Sequence, residues 1–295
     1  MKISIDNLKY PKQLRIIKNP PKQLYLDGNI ELLSTKGIAI IGSRNCTKYG
    51  EKMAKKFTKD LCIQGFTIIS GMAKGIDSIA HIESISVKGN TIAVLPSGLK
   101  SIYPEENIKL YKQIIKNNGL VLSEYKENEK ASSEKFLERN RIVSGLAIGT
   151  LVIEGGFRSG TSVTANLTKE QGKKVFCIPS SLENKKGITP NKLIKEGAFL
   201  VTEASDIMEQ YPKLKLNKLK NKNINTVKIE ENSISEEYRD IYNILDSEKT
   251  ININDIAKKS KLDINEISYK LMMLELEDKI VALPGNNFEK KWEIF

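Results

Sequence analysis

Residues 37–70 read GIAIIGSRNCTKYGEKMAKKFTKDLCIQGFTIIS, and this stretch decides the fold class. Residues 37–42 form a short apolar run of the kind that fills a buried strand. Residues 47–64 carry the amphipathic pattern of a surface helix. Residues 66–70 are a second apolar run. Strand, helix and strand in this order make a βαβ unit, whose two strands lie parallel in one sheet. The alternation continues, with strands expected at 91–95, 120–123, 150–154, 175–178 and 198–201. Helices are expected at 77–87, 105–117, 134–146, 161–171 and 189–196. We therefore read residues 36–208 as a Rossmann-like, doubly wound α/β domain with a mostly parallel sheet. In such sheets ligands bind where the carboxyl ends of the strands meet helix N-termini.

The flanks read differently. Residues 1–35 contain Tyr10-Pro11, Pro20-Pro21 and a turn at Gly28, and are expected to form an extended lead-in packed on the main domain. Residues 209–234 are rich in Lys and Asn and read as a linker. Residues 235–295 restart an apolar pattern, with helices expected at 236–245, 253–259 and 264–278 and a β-wing after them. Three helices and a wing describe a small winged-helix domain. Its third helix sets Lys270 against Glu266, Glu275, Glu277 and Asp278. A phosphate-facing helix should not be acidic, so protein contact is expected there ahead of duplex binding.

The 295 residues carry 47 basic and 36 acidic side chains, a net charge of +11. The excess is local: residues 235–295 are net −4 and residues 1–208 net +12. A basic surface on the main domain suggests a polyanionic partner. Six residues are Arg against 41 Lys, and Arg44, Arg139, Arg141 and Arg158 all fall within three motifs. Arg supplies a planar fork that fits phosphate and a face that stacks on bases. Cys46, Cys62 and Cys177 are scattered, and with a single histidine they make a poor metal site, so none is expected. The chain starts without an apolar signal core and has no run of about 20 apolar residues, so no membrane partner and a cytoplasmic location are expected.

Four motifs follow the strands. Gly42-Ser43-Arg44 turns tightly into a helix whose free N–H groups suit an anion. Gly71 and Gly75 bracket a loop carrying Lys74, followed by Asp77 in a capping position and by His81, expected to pack or hydrogen-bond inside the domain. Phe136 shares a helix face with Arg139 and Asn140, an aromatic beside a guanidinium that would suit an unpaired base, or alternatively a core anchor and a structural bridge. Gly155-Gly156-Phe157-Arg158-Ser159-Gly160-Thr161-Ser162 has the glycine spacing of a phosphate loop. Thr161 stands where that loop needs Lys, which argues against nucleotide hydrolysis. No GxGxxG follows the first strand, which argues against a dinucleotide cofactor, and no cofactor is expected.

Taken in order, these motifs resemble the DNA-processing protein A family of bacteria, also called DprA or Smf. The likeness runs from about Tyr10 to Met208 and includes Pro96-Ser97-Gly98, Tyr103-Pro104, Asn107, Ser144-Gly145-Leu146, Ala165, Pro179 and Asn191-Lys192-Leu193-Ile194. Leu137 departs from it where many members have proline, and Thr161 is a second departure. The resemblance implies single-stranded DNA binding without catalysis, a homodimer, and help in loading the recombinase RecA onto incoming DNA during natural transformation. On this reading Arg44, Lys74, Arg158 and the turns at Gly42-Ser43, Gly71, Gly75, Gly155-Gly156 and Ser159-Gly160-Thr161-Ser162 bind phosphates. Phe136 and Arg139 contact bases, with Lys135 and Asn140 beside them. The rivals are a nucleotide phosphoribohydrolase, whose glutamate position holds Thr164 here, and a transcription regulator acting through the winged helix.

Overall fold

The structure is a computed structural model that describes residues 1–157, 159–216, 218–219, 236–245, 250–260, 262–276 and 279–290. The chain divides into two compact units, Met1–Val227 and Lys228–Phe295.

In the first unit the expected alternation is present: β3 (Gly37–Ile41), α2 (Lys48–Ile63), β4 (Thr67–Ser70), α3 (Ile76–Ser86), β5 (Thr91–Val94), α4 (Ile108–Lys116), β6 (Leu120–Ser123), α5 (Ser133–Leu146), β7 (Gly149–Val152), α6 (Gly160–Glu170), β8 (Lys174–Cys177), α7 (Ile188–Lys195) and β9 (Phe199–Leu200). Wherever two of these strands pair, they pair parallel. Every residue of β3, β4, β5, β6 and β7 is buried, as a sheet covered on both faces demands. Successive side chains feed opposite cores. Ile38, Ile40, Ile68 and Leu151 pack with Phe57, Leu61 and Ile79 from α2 and α3. Ala39, Ile41, Ile69 and Val152 pack with Ile142, Val143 and Leu146 of α5.

Residues 1–35 depart from the expected irregular lead-in. β1 (Lys2–Ser4), a short helix α1 (Lys12–Arg15) and β2 (Gln23–Gly28) add two antiparallel strands, with β2 paired to β6. The prolines fall between these elements, and β2 buries only Leu24 and Leu26, so no continuous apolar run marked it. Among the described residues the sheet order is β1-β2-β6-β5-β4-β3-β7-β8-β9. The order reverses between β3 and β7, which makes that junction the topological switch point.

The domain also runs past residue 208. After α8 (Ala204–Glu209), the Tyr211 hydroxyl donates to the Ile148 carbonyl at 2.9 Å. Leu214, Leu216 and Leu219 pack on the α2 side of the core. The start of the expected linker is thus part of the main domain, and residues 217 and 220–234 of it lie outside the described residues. Among the described residues no helix is long and apolar enough to cross a membrane.

The second unit has α9 (Glu236–Ile244), α10 (Ile253–Ser260) and α11 (Ile264–Leu276) around Ile241, Ile256, Ile267, Leu271 and Leu274. Strands β10 (Ile251–Asn252), β11 (Ile280–Leu283) and β12 (Asn287–Lys290) form a sheet in the order β10-β12-β11. This is the winged-helix arrangement expected from the sequence.

Candidate nucleic-acid interface

A cleft of about 580 Å³ opens at the switch point, over the carboxyl ends of β3, β4 and β7. Three strand-to-helix turns and one face of α5 form its walls. Gly42, Ser43 and Arg44 come from the first turn, Gly71 from the second, and Gly156, Ser159, Gly160 and Thr161 from the third. Phe136, Arg139 and Asn140 come from α5. Eleven of the seventeen expected site residues therefore meet in one place, although they span 120 positions of sequence.

Arg44 is exposed, and its guanidinium lies 4.6 Å from the centre of the Phe136 ring. Tyr103 meets the same ring edge-on, at 5.6 Å and 78°. The cleft thus offers a cation and two aromatic rings in contact, a surface on which an unpaired base can stack. Tyr103 stands in the sequence only as half of the Tyr103-Pro104 pair; its mark as a site residue is an aromatic side chain left 48% exposed, which no local pattern encodes.

Arg139 does something different from the base contact suggested by its helix position. It is 4% exposed, and its guanidinium donates to the carbonyls of Gly71 and Val94. Burial pushes its pKa down to about 10, partly opposed by the nearby Asp77 carboxylate. Asp77, also buried, accepts from the Gly71 and Ala73 N–H groups at 3.2 and 3.4 Å. Burial raises its pKa and Arg139 counters the rise. Asp77 is not the cap of α3, as the spacing suggested, because Gly75 holds that position. Arg139 and Asp77 brace the second turn against α5 from below.

Gly71 and Gly75 are explained by this brace. A Cβ on Gly71 would lie 2.5 Å from the Arg139 guanidinium. Gly75 has φ of +76°, and a Cβ there would come within 2.3 Å of the Ser43 carbonyl oxygen. Both glycines answer to the protein's own packing.

Several expected contacts stand apart from the cleft. Lys74 is ion-paired with Glu106 at 2.5 Å. Lys135 donates to Glu129 and to the Lys130 carbonyl, both at 3.0 Å, and sits over the Tyr125 ring. Gly155 is bonded through its backbone to Lys186 and Thr189. Ser162 donates to the Ser159 carbonyl at 2.6 Å and closes the turn. Gly75, Lys74, Lys135, Gly155 and Ser162 do not line the cleft. Lys74 lies on the second turn and Lys135 in the first turn of α5, and each is held by an acid, Glu106 and Glu129. Arg158 lies outside the described residues.

Below the third turn, Glu154 is fully buried. It accepts from the Thr47 N–H at 2.9 Å, the Thr47 hydroxyl at 2.5 Å and the Asn184 amide at 3.2 Å. Its carboxylate occupies the N-terminus of α2 and ties that helix to the loop before α7. No local pattern in the sequence marks Glu154 for this role.

Fold and site together define a class: a Rossmann-like protein with a cleft at its switch point and a separate winged-helix unit. Comparison with known proteins narrows it. Residues 2–212 match the family model for DNA recombination-mediator protein A, and residues 230–286 match the DprA winged helix domain. The DNA processing protein DprA of Bacillus subtilis is 41% identical over 211 residues, covering 71% of each chain. Protein Smf of Escherichia coli is 34% identical over 285 residues, 96% of this chain and 75% of the relative. The X-ray structure of DprA from Streptococcus pneumoniae superposes with a TM-score of 0.69 at 37% identity, covering 74% of this chain and 75% of that one. A solved structure of DNA processing protein A from Helicobacter pylori, described by its single-stranded DNA binding mode, superposes with a TM-score of 0.64 at 32% identity, covering 72% of this chain and 96% of that one. This chain belongs to the DNA recombination-mediator protein A family, the DprA/Smf proteins.

Proposed function

We propose that the cleft holds single-stranded DNA and makes or breaks no bond in it. Phosphates lie along the Gly42–Arg44 turn and the Gly156–Thr161 turn, and a base stacks on the Phe136 and Tyr103 rings. The observation that carries this reading is the absence of any internal need for Gly156 and Gly160. Neither has a positive φ. A Cβ on Gly160 would meet nothing within 4 Å, and one on Gly156 would meet only the Lys185 carbonyl oxygen at 3.9 Å. The protein's own atoms would tolerate a side chain at both positions, and the two glycines leave the turn open for a sugar–phosphate backbone to seat on it. The basic main domain supplies the long-range attraction. The relative described by its single-stranded DNA binding mode supports the same ligand. Within this reading, dimerisation of the main domain and handover of the strand to RecA follow from the family resemblance. On the same reading Arg158 joins the phosphate contacts.

Arg44→Ala should weaken binding of oligonucleotides of any sequence alike and reduce the slope of log affinity against log salt by about 0.7, the value for one phosphate contact on a single strand. Fluorescence anisotropy across a salt series measures both. An unchanged slope and affinity would remove Arg44 from the interface.

Gly160→Ala should separate folding from binding. Alanine at a compatible helical position stabilises by about 0.4–1 kcal/mol through the unfolded chain, so the melting temperature should hold or rise. Affinity for single-stranded DNA should fall, because the new methyl group projects into the cleft. A variant that binds as well as the parent would return Gly160 to an ordinary helix start.

A further inference from the structure

We propose that a second nucleotide subsite lies beside the cleft, formed by the Tyr49 ring and by Lys185 and Lys186 on the loop that precedes α7. It rests on the reading of the cleft as a single-strand site and extends that site in one direction. The loop borders the third turn directly. The Gly155 N–H donates to the Lys186 carbonyl at 2.6 Å, the Thr189 N–H donates to the Gly155 carbonyl at 2.9 Å, and the Thr189 hydroxyl donates to the Gly156 carbonyl at 2.7 Å. The Lys185 carbonyl is also the nearest neighbour of the open space at Gly156. A strand leaving Gly156 on this side meets the loop next.

The loop is bound on its other flank to the first turn. The Lys186 ammonium donates to the Asn45 carbonyl, one residue after Arg44. Tyr49, in the first turn of α2, donates its hydroxyl to the Pro179 carbonyl at 2.9 Å. That bond anchors the ring at the start of the loop while leaving the residue 41% exposed. Lys185 is exposed and has no acid partner among the described residues. Glu183 is the acid on the same loop, so the two lysines leave it net positive. The buried Glu154 carboxylate beneath is already saturated by Thr47 and Asn184. An exposed aromatic ring anchored to the start of a loop that carries two lysines is the chemistry that receives a second base and its phosphate without regard to sequence.

The test uses the whole protein and oligothymidylates lengthened one nucleotide at a time. Tyr49→Leu should lower the affinity for the longer members at least about fivefold, the lower end of the loss for one stacked base. Lys185→Ala should flatten their salt dependence by about 0.7. Both variants should match the parent on the shortest oligonucleotide that binds measurably. Tyr49→Phe, which keeps the ring and loses only the hydroxyl, should retain most of the long-strand affinity. Equal losses at every length, or no loss on the longest strands, would overturn the second subsite. Arg44→Ala run alongside reports on the cleft itself: if it changes nothing at any length, the underlying reading fails, whereas the length dependence fails separately.

Discussion

Arg139→Met should destabilise the fold by about 1–3 kcal/mol for each buried carbonyl left without its donor. Methionine fills most of the volume but leaves the buried Asp77 carboxylate without its counter-charge. It also strips a donor from the Gly71 and Val94 carbonyls, both inside the domain. Chemical denaturation at neutral pH measures the loss. The double variant with Asp77→Asn should cost less than the two single changes added together, because the unpaired charge disappears with the second substitution. Strict additivity would show that the two side chains do not act as a pair. Since Phe136 lies one helical turn before Arg139, any variant that still folds should also bind single-stranded DNA more weakly, with little change in salt slope. That outcome separates positioning from phosphate contact.

Acidification should destabilise the protein through His81, its sole histidine. The ring is fully buried on α3. Its Nδ1 lies 2.6 Å from the Thr91 hydroxyl, and its Nε2 has no partner among the described residues. Burial, reinforced by the charge on Arg139, pushes its pKa down to about 3. In the unfolded chain the same group titrates near 6.5. Between these values the unfolded state binds a proton that the folded state refuses, so stability falls as the pH drops from 6.5 toward 3. The loss from this one group reaches several kcal/mol at the acid end, at 1.36 kcal/mol per unit. With a single histidine, its ring proton resonances can be followed without ambiguity. They should stay at the neutral position from pH 7.5 to 5, and the acid dependence of stability should be shallower in His81→Asn. A normal titration near 6.5 would show that water reaches the ring.

Much of the main domain was legible because its central strands are short, mostly apolar runs and its helices alternate with them. That pattern arises only when a sheet is covered on both faces, so composition and topology report the same fact. The strands β1 and β2 were not legible. They lie at the antiparallel edge, where β2 buries one side only, and prolines break the stretch around them. The site divides in the same way. Gly42, Arg44, Gly156 and Gly160 could be found because turns at strand ends are marked by residue type. Whether each side chain faces the cleft was a different matter.

The order and kind of the elements, the position of the turns at the strand ends, the basic balance of the main domain and the winged-helix tail all follow from residue type and spacing. These are local quantities, carried by a few neighbouring residues. The tertiary structure alone decided that Arg44 reaches across to Phe136, that Arg139 is buried near Asp77 as a brace, that Lys74 and Lys135 are held by acids, and that Tyr49 is bonded to the Pro179 carbonyl. Each of those outcomes depends on groups distant in sequence competing for the same charge or the same space, and no single segment contains that competition.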